Sequence, residues 1–244
     1  MLASSRLSWT GTQAFHLIGY SLGGCLAAPF AVYHANLLKS VTLVCPAGLI
    51  RESHVDWRSW FLYSERLLPV WIAKHFVRRR IQPKGASGAE VPLARKHEAI
   101  EFDRVQVYEG RDTTIGDLIR WQLDGNAGFV GAYLSTLQYC PIYQQHDRIW
   151  KKLEEVLRGR RVQAEGYDAL LGLPGGQISI ILADEDSVIS ADEWVQDSKA
   201  VLGEDGVDIR IIHGGHELPI TDGRQIAMAA IEMWEKRCPR LCSL

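Results

Sequence analysis

Apolar residues along this chain fall into two kinds of run. Four runs are short and dense in aliphatic, largely β-branched residues: 14–18 (AFHLI), 40–45 (SVTLVC), 177–183 (QISIILA) and 207–213 (VDIRIIH). Runs that stay apolar rather than alternating belong to strands covered on both faces, as in a parallel sheet. The stretches 22–35, 191–202 and 222–236 instead carry apolar residues at helical spacing. Strand followed by helix, repeated, predicts an α/β fold: a mostly parallel sheet flanked by helices.

The alternation is interrupted once. About 130 residues separate the second strand run from the third, far more than one crossover helix needs. Within them Trp57, Trp60, Phe61, Leu67, Leu68 and Trp71 recur at near-helical spacing, as do Ile115, Leu118, Ile119 and Gln122, then Phe129, Tyr133 and Leu137. Breakers part these groups: Pro69, the Gly-, Ser- and Pro-containing stretch 82–92, Gly125-Asn126, and Pro141. The expected organisation is a core of 1–50 and 173–244 with a helical insertion at 51–172. No repeat or low-complexity tract is present in the sequence.

Composition narrows the class. With 244 residues and 47% hydrophobic content the chain can bury one sizeable core. Lys+Arg 27 against Asp+Glu 29 leaves a net charge of −2, so no overall field recommends nucleic acid or an anionic membrane as a partner. The run Arg78-Arg79-Arg80 reads as a solvated helix face. Five cysteines without framework spacing read as reduced thiols in a cytoplasmic setting, and no metal site or cofactor is expected. The first 20 residues lack the apolar core of a signal peptide, and no stretch is long enough for a membrane span.

Chemistry concentrates at three turns. Gly19-Tyr20-Ser21-Leu22-Gly23-Gly24 follows the first strand run and precedes a helix, the setting of a serine lifted on a sharp turn. Gly19 and Gly23 are expected to give that turn room. A serine needs a base and a carboxylate to orient it. The third strand run ends in Asp184-Glu185-Asp186-Ser187-Val188-Ile189, and the fourth opens onto His213-Gly214-Gly215-His216-Glu217. Through this elbow, the loop ADEDSVIS and the later GGHELP, the chain resembles the α/β-hydrolase family over about 14–50 and 175–237.

The resemblance implies Ser21 as nucleophile and His216 as base. Asp186 matches the family's acid better than Asp184, because the apolar pair Val188-Ile189 follows it, and Asp184 is expected to brace the loop. His213 is expected to be a packed strand-end residue. His16, His34, His54, His75, His97 and His146 have no comparable setting. The backbone N–H of Leu22, next after the nucleophile, is the implied oxyanion donor. The insertion corresponds to the family's lid, with Trp57, Trp60, Phe129, Tyr133 and Tyr139 as candidate lining of a substrate pocket.

These implications add up to a serine hydrolase of a carboxylic ester, thioester or related acyl compound, acting on a small, neutral, apolar substrate. Two alternatives stand beside it: a C–C bond hydrolase of a diketone, and a binding protein or partner-dependent fragment that retains the elbow without turnover. The family typically lays several strands and a second oxyanion loop before the elbow, whereas 20 residues precede Ser21 here. The expectation is therefore a truncated product, or a further segment or second copy covering the edge of the first strand.

Overall fold

The computed structural model describes residues 4–54, 68–82, 106–107, 112–163 and 172–237. It divides into two compact units, Met1–Ile50 with Pro141–Leu244, and Arg51–Cys140.

The first unit is built on four parallel strands, β1 (Phe15–Tyr20), β2 (Leu38–Val44), β3 (Ile178–Ala183) and β4 (Val207–Ile212), in the spatial order β1-β2-β3-β4. All six residues of β3 are buried, as are all but Lys39 in β2, which is why these two read as unbroken apolar runs. Among the described residues β1 and β4 are the sheet's edges, and Ile18 of β1 is 48% exposed.

Helix α1 (Leu22–His34) follows β1 directly. Its inward residues Gly24, Cys25, Ala27, Ala28 and Ala31 are small, and this lets the helix axis approach the sheet closely. The other face of β1 presents His16 to Trp234 on the last helix, with rings stacked at 4.1 Å, while the Trp234 indole N–H donates to Thr42 Oγ1 at 2.8 Å. The sheet therefore lies between helices, α1 on one face and the C-terminal helix on the other.

The second unit contains α2 (Val70–Ile81), α3 (Ile115–Gly125) and α4 (Phe129–Tyr139). Thr114 caps α3 reciprocally: its hydroxyl accepts from the Asp117 N–H at 3.2 Å and its own N–H donates to the Asp117 carboxylate at 2.9 Å. Ala73, Val77 and Leu134 join α2 to α4 in a small core of their own. The Arg78–Arg80 run forms the last turn of α2, where Arg78 pairs with Asp124 at 2.7 Å and the positive charges face the helix's negative end.

Among the described residues the remaining α-helices belong to the first unit: α5 (Lys151–Gln163), α6 (Ala191–Leu202), α7 (Leu218–Thr221) and α8 (Gly223–Arg237). Helix α5 falls inside the 51–172 stretch read as the insertion, yet Trp150, Leu153 and Leu157 are fully buried in the core around the sheet. Its apolar positions are sparse among seven charged residues, so its role in the core is hard to see from the pattern.

Candidate active site

All three functional turns lie at the carboxyl ends of strands, where an open parallel sheet collects its ligands. Ser21 separates β1 from α1 with φ 50° and ψ −118°. This is a costly conformation for a residue with a side chain, and such residues persist only where the surroundings fix them. Its N–H donates to Val44 O at 3.0 Å, and its carbonyl accepts from the N–H groups of Gly24 and Ala47, both at 2.9 Å.

The glycines around it have separable roles. A Cβ on Gly19 would stand 2.6 Å from Gly23 O, and one on Gly24 would stand 2.4 Å from Pro46 Cβ. A Cβ on Gly23 meets nothing within 4 Å. The room that the turn needs is therefore supplied by Gly19 and Gly24, and what matters at Gly23 is its backbone, which passes close to Gly19.

His216 and Asp186 arrive from the turns after β4 and β3. The His216 Nε2 lies 2.9 Å from Ser21 Oγ, and Nδ1 lies 2.8 Å from Asp186 Oδ2. A carboxylate can only accept, so Nδ1 carries the proton and Nε2 is left to accept from the serine hydroxyl. The Asp186 side chain is 1% exposed, and its other oxygen accepts from the N–H groups of Val188 and Ile189, both at 2.8 Å. Tyr20, beside the serine, donates its hydroxyl to His216 O at 2.8 Å and places its ring 5.4 Å from the imidazole. The residue type at this position of the motif is thus not neutral.

Asp184 braces the same two turns from outside. Its Oδ1 accepts from the Gly214 N–H at 3.0 Å, its Oδ2 lies 3.2 Å from His213 Nδ1, and the Glu185 N–H donates to Gly214 O at 3.0 Å. The Gly214 N–H, and after it His213, hold the Asp184 carboxyl below its ordinary range, and the bond to Asp184 raises His213. His213 is not packed: its side chain is 79% exposed. It closes β4 on the solvent side, where a pairing carboxylate rather than apolar contact holds it.

Cys45 carries no motif, and its place in the site is visible only in the structure. It follows β2 directly with φ 41°, is fully buried, and donates its N–H to Ile181 O at 2.9 Å. Its sulfur, an Asp186 oxygen and a His216 ring nitrogen lie within 4.8 Å of one another. Burial, and then the Asp186 charge, push the thiol well above its ordinary range. This trio has the residue types of a metal site, but both imidazole nitrogens are engaged by Ser21 and Asp186.

Leu22 is the first residue of α1, so its N–H is one of the helix's unpaired donors and stands next to Ser21. Phe129, Tyr133 and Tyr139 lie on α4 of the second unit, half-buried, 36% and 67% exposed respectively. Trp57 and Trp60 lie outside the described residues.

A serine, histidine and aspartate gathered on the carboxyl edge of a parallel sheet define the class of the hydrolytic α/β enzymes. A family model described as the alpha/beta hydrolase fold matches residues 8–222, and the chain belongs to that family. Segments of it are 51% identical over 37 residues to monoacylglycerol lipase ABHD6 of Mus musculus and 47% identical over 38 residues to monoacylglycerol lipase abhd6-A of Xenopus laevis. Those segments cover 15% and 16% of this chain and 11% of each relative. Among solved structures, the bromoperoxidase from Bacillus anthracis superimposes with a TM-score of 0.51 at 15% identity, over 91% of this chain and 67% of that one. This last likeness is one of fold. Among the described residues no helix is long and apolar enough to cross a membrane.

Proposed function

We propose that the protein is a serine hydrolase that cleaves a carboxylic ester, thioester or related acyl substrate through Ser21, His216 and Asp186. One observation carries this reading: an unbroken hydrogen-bonded relay from Ser21 Oγ through both nitrogens of His216 to a buried carboxylate, at 2.9 and 2.8 Å. A serine hydroxyl is a poor nucleophile until a base takes its proton, and Nε2 is in position and in the right tautomer to do so.

In this mechanism Ser21 Oγ attacks the substrate carbonyl while its proton passes to His216 Nε2. Asp186 holds the ring orientation and stabilises the imidazolium. The Leu22 N–H donates to the oxyanion, and the imidazolium then protonates the departing alcohol or thiol. Water, deprotonated by the same imidazole, attacks the acyl-serine, and collapse of the second tetrahedral intermediate frees the acid and Ser21.

The second unit interrupts the chain between β2 and β3, the sequence position of a cap, and substrate choice is assigned to it in this proposal. A neutral, apolar acyl group is the proposed substrate class.

The test is hydrolysis of p-nitrophenyl esters of graded chain length. A burst of p-nitrophenol equal to the enzyme concentration, followed by slower turnover and absent in Ser21→Ala, is the expected result. Equal turnover by Ser21→Ala removes the proposal.

A further inference from the structure

Asp186 is more fully engaged than an orienting acid requires. One oxygen takes two backbone N–H bonds, the other takes the His216 Nδ1 proton, and the side chain is nearly sealed from water. Cys45 comes to the same carboxylate from β2, a strand that contributes nothing to the relay itself. The residue stands in the left-handed region at φ 41°, which a non-glycine side chain adopts only at a cost. That cost is accepted where the turn directs the sulfur into the cluster with Asp186 and His216.

The chemistry of the thiol fixes what it does there. Burial, then the charges of Asp186 and Glu217, oppose ionisation, so the sulfur keeps its proton. A protonated thiol beside a carboxylate is a donor, if a weak one.

We propose, resting on the hydrolase reading above, that Cys45 is a positioning residue of this centre: its S–H donates to the Asp186 carboxylate and sets how strongly that carboxylate holds the Nδ1 proton of His216. The thiol draws off part of the carboxylate's charge. Without it the same carboxylate stabilises the imidazolium more strongly, and His216 releases its proton at higher pH. The titratable groups that face this thiol are Asp186, Glu217 and His216, whose ring nitrogen lies within 4.8 Å of the sulfur, and Tyr20 packs against the imidazole. All four are unchanged in the variants that test the proposal.

Cys45→Ala removes the donor and Cys45→Ser retains one, and neither introduces a β-branched residue at positive φ. Two readouts are taken on the full chain: the pH dependence of kcat/KM for ester hydrolysis, and the titration of His216 Cε1 by NMR with labelled histidine. In Cys45→Ala the acidic limb and the His216 midpoint are expected to move up by roughly half a unit, while Cys45→Ser stays with the wild type. A thiol that only fills space would instead lower the melting temperature and leave both pH readouts where they were, and that outcome overturns the proposal. Should Cys45→Ala not fold, Cys45→Gly removes the thiol and relieves the backbone, and the same shift is expected of it. Should the wild type show no ester turnover, the hydrolase reading falls, while the NMR midpoint still decides the role of Cys45.

Discussion

Asp186→Asn separates orientation from packing, because the structure dictates which way the new amide must face. The Val188 and Ile189 N–H groups both donate to Oδ1 at 2.8 Å. The asparagine carbonyl must take that place, and its NH2 must replace Oδ2 opposite His216 Nδ1. Two donors cannot face each other, so the imidazole adopts the other tautomer, with its proton on Nε2 against Ser21. That nitrogen can no longer accept the serine proton. Turning the amide round to restore the tautomer leaves two backbone donors unpaired, at about 1–3 kcal/mol each. With one decade of rate per 1.36 kcal/mol, that alone is a fall of roughly 10²- to 10⁴-fold in kcat. Loss of the charge that stabilises the imidazolium pushes the effect toward the upper end, where equivalent tautomer-reversing substitutions in other triads lie at about 10⁴. KM and the melting temperature should change little, since the two backbone bonds survive. The assay is steady-state ester hydrolysis with thermal melts on the same preparations, and Asp184→Asn is the control, expected to stay within about tenfold of wild type because Asp184 bonds the loop and not the base. A kcat for Asp186→Asn within tenfold of wild type, or an equal loss in Asp184→Asn, refutes the reasoning.

Three further outcomes follow from the same geometry. Gly19→Ala should lower both activity and melting temperature, since its Cβ meets backbone at 2.6 Å, whereas Gly23→Ala, with open space and a helical position, should leave the melting temperature unchanged or raised. The Asp184–His213 pair should stabilise most at mildly acidic pH: the lowered Asp184 contributes above its ordinary 3.8 and is lost as pH falls through its folded-state value, while the raised His213 contributes below 6.5 and is lost as pH rises through its own. Melts of wild type and Asp184→Asn should therefore differ most between those two values; the difference should shrink above 6.5 to the part supplied by the Gly214 N–H, and vanish as pH falls well below 3.8. Burial at the sheet edge and then Lys39 lower His16, so the fold binds fewer protons there than the unfolded chain, and stability should decline as pH falls below 6.5. His16→Phe, which keeps a ring against Trp234, should show a smaller loss between pH 7 and 5 in denaturant titrations.

How much of this was legible in the sequence depends on the range of the interactions concerned. The four strands and α1, α6 and α8 could be read because a strand buried on both faces, or a helix packed on one, writes its environment into consecutive residues. Ser21 and the turns bearing Asp186 and His216 were legible for the same reason: each turn states its chemistry within six residues. Asp186 was separable from Asp184 only through the apolar pair after it, and the reason is now physical, since Val188 and Ile189 supply the N–H groups that fix its oxygen. Cys45 was opaque because its neighbours come from the ends of three strands and no local pattern marks a thiol that faces a carboxylate. The need for glycine at 24 has no local signal because its contact is Pro46, across the β2 turn. The exposure of His213 is hidden in the sequence because an aliphatic run precedes it, while the partner that holds it lies 29 residues away on another turn. Helix α5 is obscured by its charges, since two buried leucines, Leu153 and Leu157, suffice to anchor one stripe of a helix whose other faces are largely charged.

The central claim is that Ser21 is an activated nucleophile held by His216. Reaction of the folded protein with a fluorophosphonate, followed by peptide mass spectrometry, tests it without any assumption about substrate. The account predicts stoichiometric phosphonylation at Ser21, none in Ser21→Ala, and labelling slowed by orders of magnitude in His216→Ala with the fold intact. Labelling of another residue, undiminished labelling of Ser21→Ala, or a His216→Ala protein that reacts at the wild-type rate would contradict it.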